Sequence, residues 1–125
     1  MNTYEKCRRI RKAIVNRAAE VIAYDNWAAD FAARQIREVP DVLRQEPELT
    51  GIQPCELTSE QCDELGFGTW SEDNPMRLIP LWLFPFLADE ITTTCISGSV
   101  VHRREDMDND VRFGCIAYGV TAKGA

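Results

Sequence analysis

The stretch ITTTCISGSVVHR, Ile91–Arg103, decides how the chain reads. Seven of its thirteen residues are β-branched, in a chain whose N-terminal third carries a helical pattern, so the run marks a change of architecture. ITTTCIS predicts one strand, Gly98-Ser99 a type II′ turn, and VVHR the returning strand. Further on, RFGCIAYGV (Arg112–Val120) predicts a third strand. Phe113, Cys115 and Ala117 then share one face and Arg112, Gly114, Ile116 and Tyr118 the other. Gly114 leaves that second face open to close approach by a ligand or another backbone.

Working toward the N-terminus, Asn2 followed by Glu5 predicts a capped helix start. Tyr4, Cys7, Ile10, Ile14, Ala18 and Val21 recur at helical spacing, with Lys6, Arg8, Arg9, Lys12 and Arg17 on the opposite face. After Tyr24-Asp25-Asn26, Asn26 predicts the cap of a second helix through Trp27, Phe31, Gln35 and Ile36, and Pro40 stops it or starts another turn. The segment from Gln45 to Gln53 reads as irregular. Thr58-Ser59-Glu60-Gln61 is a capping box that opens a short helix, Ser59 to Leu65, closed by Gly66 in a left-handed conformation. FGTWSEDNPM reads as a loop with Phe67 and Trp70 as core anchors. In RLIPLWLFPFLADE, Pro80 opens an apolar helical turn, Leu81 to Phe84, that requires burial in the domain or in an oligomer interface. The fold class is α+β: an N-terminal helical half packed against a small C-terminal antiparallel sheet. At 125 residues the chain suits one domain. Its parts are a helical hairpin (1–45), a connector with short helices (46–90) and antiparallel strands (91–121).

Charge is unevenly spread. The net −6 divides into +3 over residues 1–44 and −9 over 45–125, which points to a partner or to self-assembly and weighs against nucleic acid. The longest apolar run, Ile79 to Ala88, is broken by Pro80 and Pro85 and is about half of the ~20 residues that a membrane helix needs. The first residues, MNTYEKCRRIRK, lack the apolar core of a secretory signal, so a cytoplasmic location in a bacterial host is expected. Five irregularly spaced cysteines with a single histidine, His102, read as reduced, space-filling thiols and not as a zinc site.

Several motifs bear on chemistry. Asp106, Asp108 and Asp110 match the first, third and fifth positions of a calcium loop, but Val111 stands where glycine is required and Ala117 where a bidentate glutamate is required. The segment therefore reads as a solvated hairpin connection, with no metal. Pairing His102 with Cys95 or Cys115 as a nucleophile lacks an orienting third group, and no glycine-rich phosphate loop occurs. Catalysis and cofactors are therefore not expected. Arginine suits bidentate capture of a phosphate or carboxylate. Arg112 beside Gly114 leads the candidates, with Arg77, Arg103 and Arg104 near it, hydroxyls from Thr92 and Thr94, and Trp70 or Trp82 to stack on a base. The competing reading of Arg112 is an ion pair with Asp108 or Asp110. The basic face of the first helix reads as solvated or as a contact with the acidic half of another copy.

RLIPLWLFPFLADE, the following hairpin and DNDVRFGCIAYG resemble a segment that recurs in small proteins of phages and prophages. In size and layout, helices before a small antiparallel sheet, the chain is similar to the anti-Thoeris sponge family. The resemblance implies a homo-oligomer that sequesters cyclic nucleotide signals, such as cyclic ADP-ribose isomers, without cleaving them. No binding residue is carried over from it by position. The function expected is a non-catalytic phage counter-defence protein that binds a small phosphorylated, nucleotide-like ligand. The alternative is an inhibitor that binds a host defence protein through an acidic surface imitating nucleic acid.

Overall fold

A computed structural model describes residues 1–24, 38–71, 74–95, 98–107 and 118–124. The architecture is α+β. Helix α1 (Thr3–Tyr24) starts where Asn2 predicts: its Oδ1 accepts the Glu5 N–H at 2.8 Å and its carbonyl accepts the Lys6 N–H at 3.0 Å. Cys7 and Ile10 are fully buried, with Tyr4 and Ile14 packed beside them, which is the stripe the spacing sets. The second predicted helix, with Asn26, Trp27, Phe31, Gln35 and Ile36, lies outside the described residues. Helical backbone occurs over 38–43 (α2), and Pro40 accepts the Arg44 N–H at 2.9 Å.

The irregular segment that follows is tied down residue by residue. A 3-10 turn, Pro47–Leu49, sends Leu49 into the core. Ile52 then exchanges backbone hydrogen bonds with Phe86 and Ala88, each 3.0 Å, as an isolated parallel bridge. Helix α3 (Ser59–Leu65) carries both halves of the Thr58/Gln61 capping box. At its end Gly66 has φ 79°, and the Phe67 N–H reaches the Cys62 carbonyl at 2.9 Å. That is the Schellman arrangement, and Phe67 and Cys62 both enter the core, as its hydrophobic contact requires.

The sheets differ from expectation. FGTWSEDNPM was expected to be a loop; it holds strand β1 (Gly68–Ser71) and the start of β2 (Asn74–Leu78). Together with β5 (Gly119–Thr121) they form an antiparallel sheet in the order β1-β2-β5. The register places two residues of β2, Pro75 and Met76, against the single Trp70 of β1. A bulge of this kind accommodates a proline that could not donate to a regular ladder. It also corrects Trp70, which was expected in the core and is 53% exposed.

Strands β3 (Glu90–Cys95) and β4 (Gly98–Arg103) pair as an antiparallel hairpin, as ITTTC and VVHR predict. The turn is not at Gly98-Ser99: those residues pair with Cys95 and Thr94 inside the ladder. Of the third predicted strand, residues 112–117 lie outside the described residues. Its end belongs to β5, which pairs with β2 and not with the hairpin. Thr94 joins the two sheets, its Oγ1 accepting the Thr121 N–H at 3.0 Å and lying 2.8 Å from the Thr121 hydroxyl.

Leu81–Phe86 is a 3-10 segment with Pro80 at its N-cap and Pro85 inside. Leu83, Phe84 and Phe86 are buried, whereas Leu81 is 67% exposed, so the turn is only partly covered by its own domain. One cluster unites α1, α3, the 3-10 segments and both sheets. Among the described residues no helix is long and apolar enough to cross a membrane.

Gly119 sits against Met76 across the β2–β5 pair. A Cβ there would lie 2.7 Å from Met76 Cγ, inside van der Waals contact. Gly119→Ala is expected to cost about 1–3 kcal/mol of stability by overpacking. In a Met76→Ala background the same change should cost markedly less, since neighbouring substitutions are not additive. Equal costs in the two backgrounds, read from denaturant unfolding, would remove this contact as the cause.

Candidate functional site

The predicted ligand arginines are placed apart and partly used. Arg112 lies outside the described residues, as do Asp108 and Asp110; Asp106 is exposed. Arg77, on β2, is buried to 8% exposure. Its Nη2 donates to Asp63 Oδ1 and to the Phe67 carbonyl at 3.1 Å, bracing the end of α3 against the first sheet. Arg104 donates to the Leu87 carbonyl at 3.1 Å and pairs with Asp89 at 3.3 Å. Arg103 is exposed on β4 opposite Glu90, and Thr92 is exposed opposite Val101. Thr94 is engaged with Thr121. Trp82 is half-buried against the core, and Trp70 is at the bulge. Among the described residues no group of three or more His, Cys, Asp or Glu could hold a metal. The His102 ring packs edge-on to Tyr118, with ring centres 5.2 Å apart.

Arg77 therefore serves the fold. Arg77→Met keeps the stem and removes both donors, for a loss of about 1.5–3 kcal/mol, while also removing the buried Nε that has no partner among the described residues. That relief offsets part of the loss, so a net cost of about 1–2 kcal/mol is expected. Asp63 is 68% exposed, and Asp63→Asn should cost under about 1 kcal/mol. Unfolding midpoints that reverse this order would overturn the assignment.

A different set of cations is gathered. Because Cys7 and Ile10 turn inward, residues 8, 9, 11 and 12 of α1 fall on the outer side beside α3. Arg8, Arg9, Arg11 and Lys12 line a groove of about 530 Å³ that continues past Val15 and Asn16. Leu65 forms part of its wall, and Glu5 and Glu64 are its carboxylates.

The four cations are not equivalent. Arg9 pairs with Glu46 at 2.9 Å and reaches Glu48 at 3.9 Å. Arg8 lies over the Tyr4 ring, 5.6 Å from its centre, and 3.8 Å from Glu64. The Tyr4 hydroxyl donates to the same Glu64, and that hydrogen bond pushes the phenol's pKa up. Arg11 and Lys12 have no carboxylate within ion-pair distance among the described residues. The Arg11 guanidinium rests against Gly66, its Nε and Nη2 both 3.9 Å from where a Cβ would stand. It thus sits at the C-terminal, electronegative end of α3.

A second groove, about 680 Å³, runs between Thr3, Tyr4, Thr58, Gln61 and Lys123. Its polar groups are largely paired within the chain: Thr3 donates to Glu56 at 2.5 Å, and Thr58 and Gln61 cap each other.

Sequence reasoning saw the basic face of α1 but did not single out Arg11, whose seat depends on a residue 55 positions away. The available signal was the positive balance of the first 44 residues. No family model, curated protein or solved structure matches the chain.

Proposed function

We propose that the protein binds and sequesters a small phosphorylated, nucleotide-like ligand without altering it, and that it serves a phage as a counter-defence protein. One observation carries the reading: the α1 groove holds four cations, two of which have no acidic partner among the described residues. Unpaired guanidinium and ammonium groups in a concave site favour a phosphorylated guest. The binding site is accordingly assigned to α1 and α3 and not to the strands. Of the described thiols, Cys7 and Cys62 are closed off from solvent and burial raises their pKa, which makes them poor nucleophiles, whereas Cys55 is partly exposed. Assembly of several copies belongs to the same reading, with Trp70, Leu81 and Val101, all more than half exposed, as available apolar surface. The alternative is an inhibitor that imitates nucleic acid through its carboxylates, three of which, Glu46, Glu64 and Asp63, are paired with Arg9, Arg8 and Arg77.

The test is thermal unfolding with a panel of cyclic nucleotides and nucleoside diphosphates, followed by mass spectrometry of the recovered ligand. A ligand at 100 times its Kd should stabilise the folded state by about 2.7 kcal/mol. Recovery of that ligand intact supports sequestration, and recovery of a cleaved product would convert the protein into an enzyme. Indifference to the whole panel, with salt-sensitive capture of a host protein, would favour the inhibitor.

A further inference from the structure

We infer that β4 is an open sheet edge that takes an extended acidic segment of another protein as an added antiparallel strand. This contact lies apart from the α1 groove and uses none of its residues.

The pairing register shows which backbone groups are spare. Glu90 pairs with Arg103, and each step along β3 moves one step back along β4, without a slip, as far as Cys95 and Gly98. The Arg104 N–H donates to the Asp89 carbonyl at 2.8 Å, which fixes the phase of the ladder. Antiparallel pairs alternate between hydrogen-bonded and open. His102, Val100 and Gly98 therefore bond inward to β3, while Arg103, Val101 and Ser99 turn their N–H and C=O groups away from it. No hydrogen bond reaches those outward groups among the described residues.

Other edges are covered or broken. The far side of β3 meets Gln53, which donates to the Glu90 carbonyl at 2.8 Å, and Thr121, whose N–H reaches Thr94 Oγ1 at 3.0 Å. β1 is interrupted by the bulge at Trp70, and bulges discourage strand addition. β4 carries no bulge, no proline and no lysine.

Side chains on β4 select the guest. Val101 is 62% exposed, and the exposed Arg103 shares its face. Arg103 has no carboxylate within ion-pair distance among the described residues, although Glu90 stands opposite it in the ladder. An added strand thus fits best with a β-branched residue beside Val101 and a carboxylate beside Arg103. A second β4 supplies no carboxylate, because GSVVHR holds none; in the two-fold register about Val101 it would set Ser99 against Arg103. Of the exposed apolar residues, Trp70 and Leu81 then remain for contacts between copies.

NMR titration and amide exchange of the full chain test the inference, with two synthetic peptides as probes. One is acetyl-TETVTTT-amide, which can set glutamate against Arg103 and valine against Val101; the other carries lysine in place of that glutamate. The glutamate peptide should shift the Ser99, Val101 and Arg103 amide resonances, slow their exchange, and bind at least about threefold tighter than the lysine peptide. Val101→Pro removes an N–H that the hairpin does not use, so it should keep its circular dichroism and lose the peptide. Should that variant not fold, Arg103→Glu, a change at an exposed side chain, should reverse the preference between the two peptides. Equal affinity for both peptides overturns the acidic partner. Shifts confined to other residues, or no binding at all, overturn the strand addition. Protection of the same three amides that grows with protein concentration in the absence of peptide assigns the edge to a second copy and overturns the inference.

Discussion

Phe86→Ala is expected to destabilise the protein by about 3–5 kcal/mol, a large share of the roughly 5–15 kcal/mol that holds a domain together. Phe86 is fully buried and sits in the 3-10 segment that α1, the connector and both sheets surround. Its carbonyl also accepts the Ile52 N–H, so the side chain is held on a backbone that cannot readily collapse into the void. Poor relaxation is what places a truncation toward the upper end of the range. Leu81 provides the contrast within the same six residues. It is equally apolar but exposed, and Leu81→Ala should change stability by no more than about 0.5 kcal/mol. Chemical denaturation of both variants checks the pair, and similar losses would mean that the segment is not the centre of the core.

Alkaline pH should act through Cys7. Burial pushes its thiol up from the ordinary 9.0 to about 12, with the neighbouring Cys62 adding to the shift and Lys6 opposing it. The folded protein therefore holds the neutral thiol while the unfolded chain ionises first. Stability from this group is complete below pH 9 and is lost as pH rises toward 12. Each pH unit within that window costs on the order of 1 kcal/mol, so the full span amounts to a few kcal/mol. Cys62 is raised by burial too and acts in the same direction. Unfolding curves collected between pH 8 and pH 11 should fall more steeply for the wild type than for Cys7→Ala. Comparing slopes removes the packing cost of the substitution itself. Parallel slopes would show that Cys7 does not govern the alkaline limit.

The parts of this fold that were legible in the sequence are those in which the signal is local. Thr58, Gln61 and Gly66 specify both ends of α3, because a capping box and a left-handed glycine need no distant partner. ITTTC and VVHR mark a hairpin for the same reason, although the turn was placed too late. The β1–β2 pair was hidden because its residues look like loop: SEDN is polar, Pro75 discourages a strand, and the bulge around Trp70 breaks the alternation of faces. Sheet partnership was equally invisible, since nothing in Gly119–Thr121 says that β2, and not the nearer β4, will receive it.

The candidate site was legible as charge and illegible as shape. A helical face rich in arginine can be read from spacing. That Glu46 and Glu48 would engage Arg9 and not Lys12, and that Gly66 would seat Arg11, follows only from how α1 and the connector meet. The strand arginines drew attention because isolated guanidinium groups beside glycine resemble a ligand grip. For Arg77 and Arg104, carbonyls and aspartates of the same chain occupy that grip.

The hydroxyl rung between Thr94 and Thr121 has a mechanical consequence. The two sheets are seamed at that point by side chains, while each is stitched internally by its own backbone ladder. A seam of that kind parts with less loss than a ladder, yet Ile91 of β3 is buried in the core that the two sheets share and Gln53 donates to the Glu90 carbonyl at 2.8 Å, so the hairpin stays anchored when the rung is lost. Thr94→Val would leave both ladders in place but take from the Thr121 N–H its acceptor, so the joint's worth is the cost of orphaning one part-buried donor, about 1–3 kcal/mol.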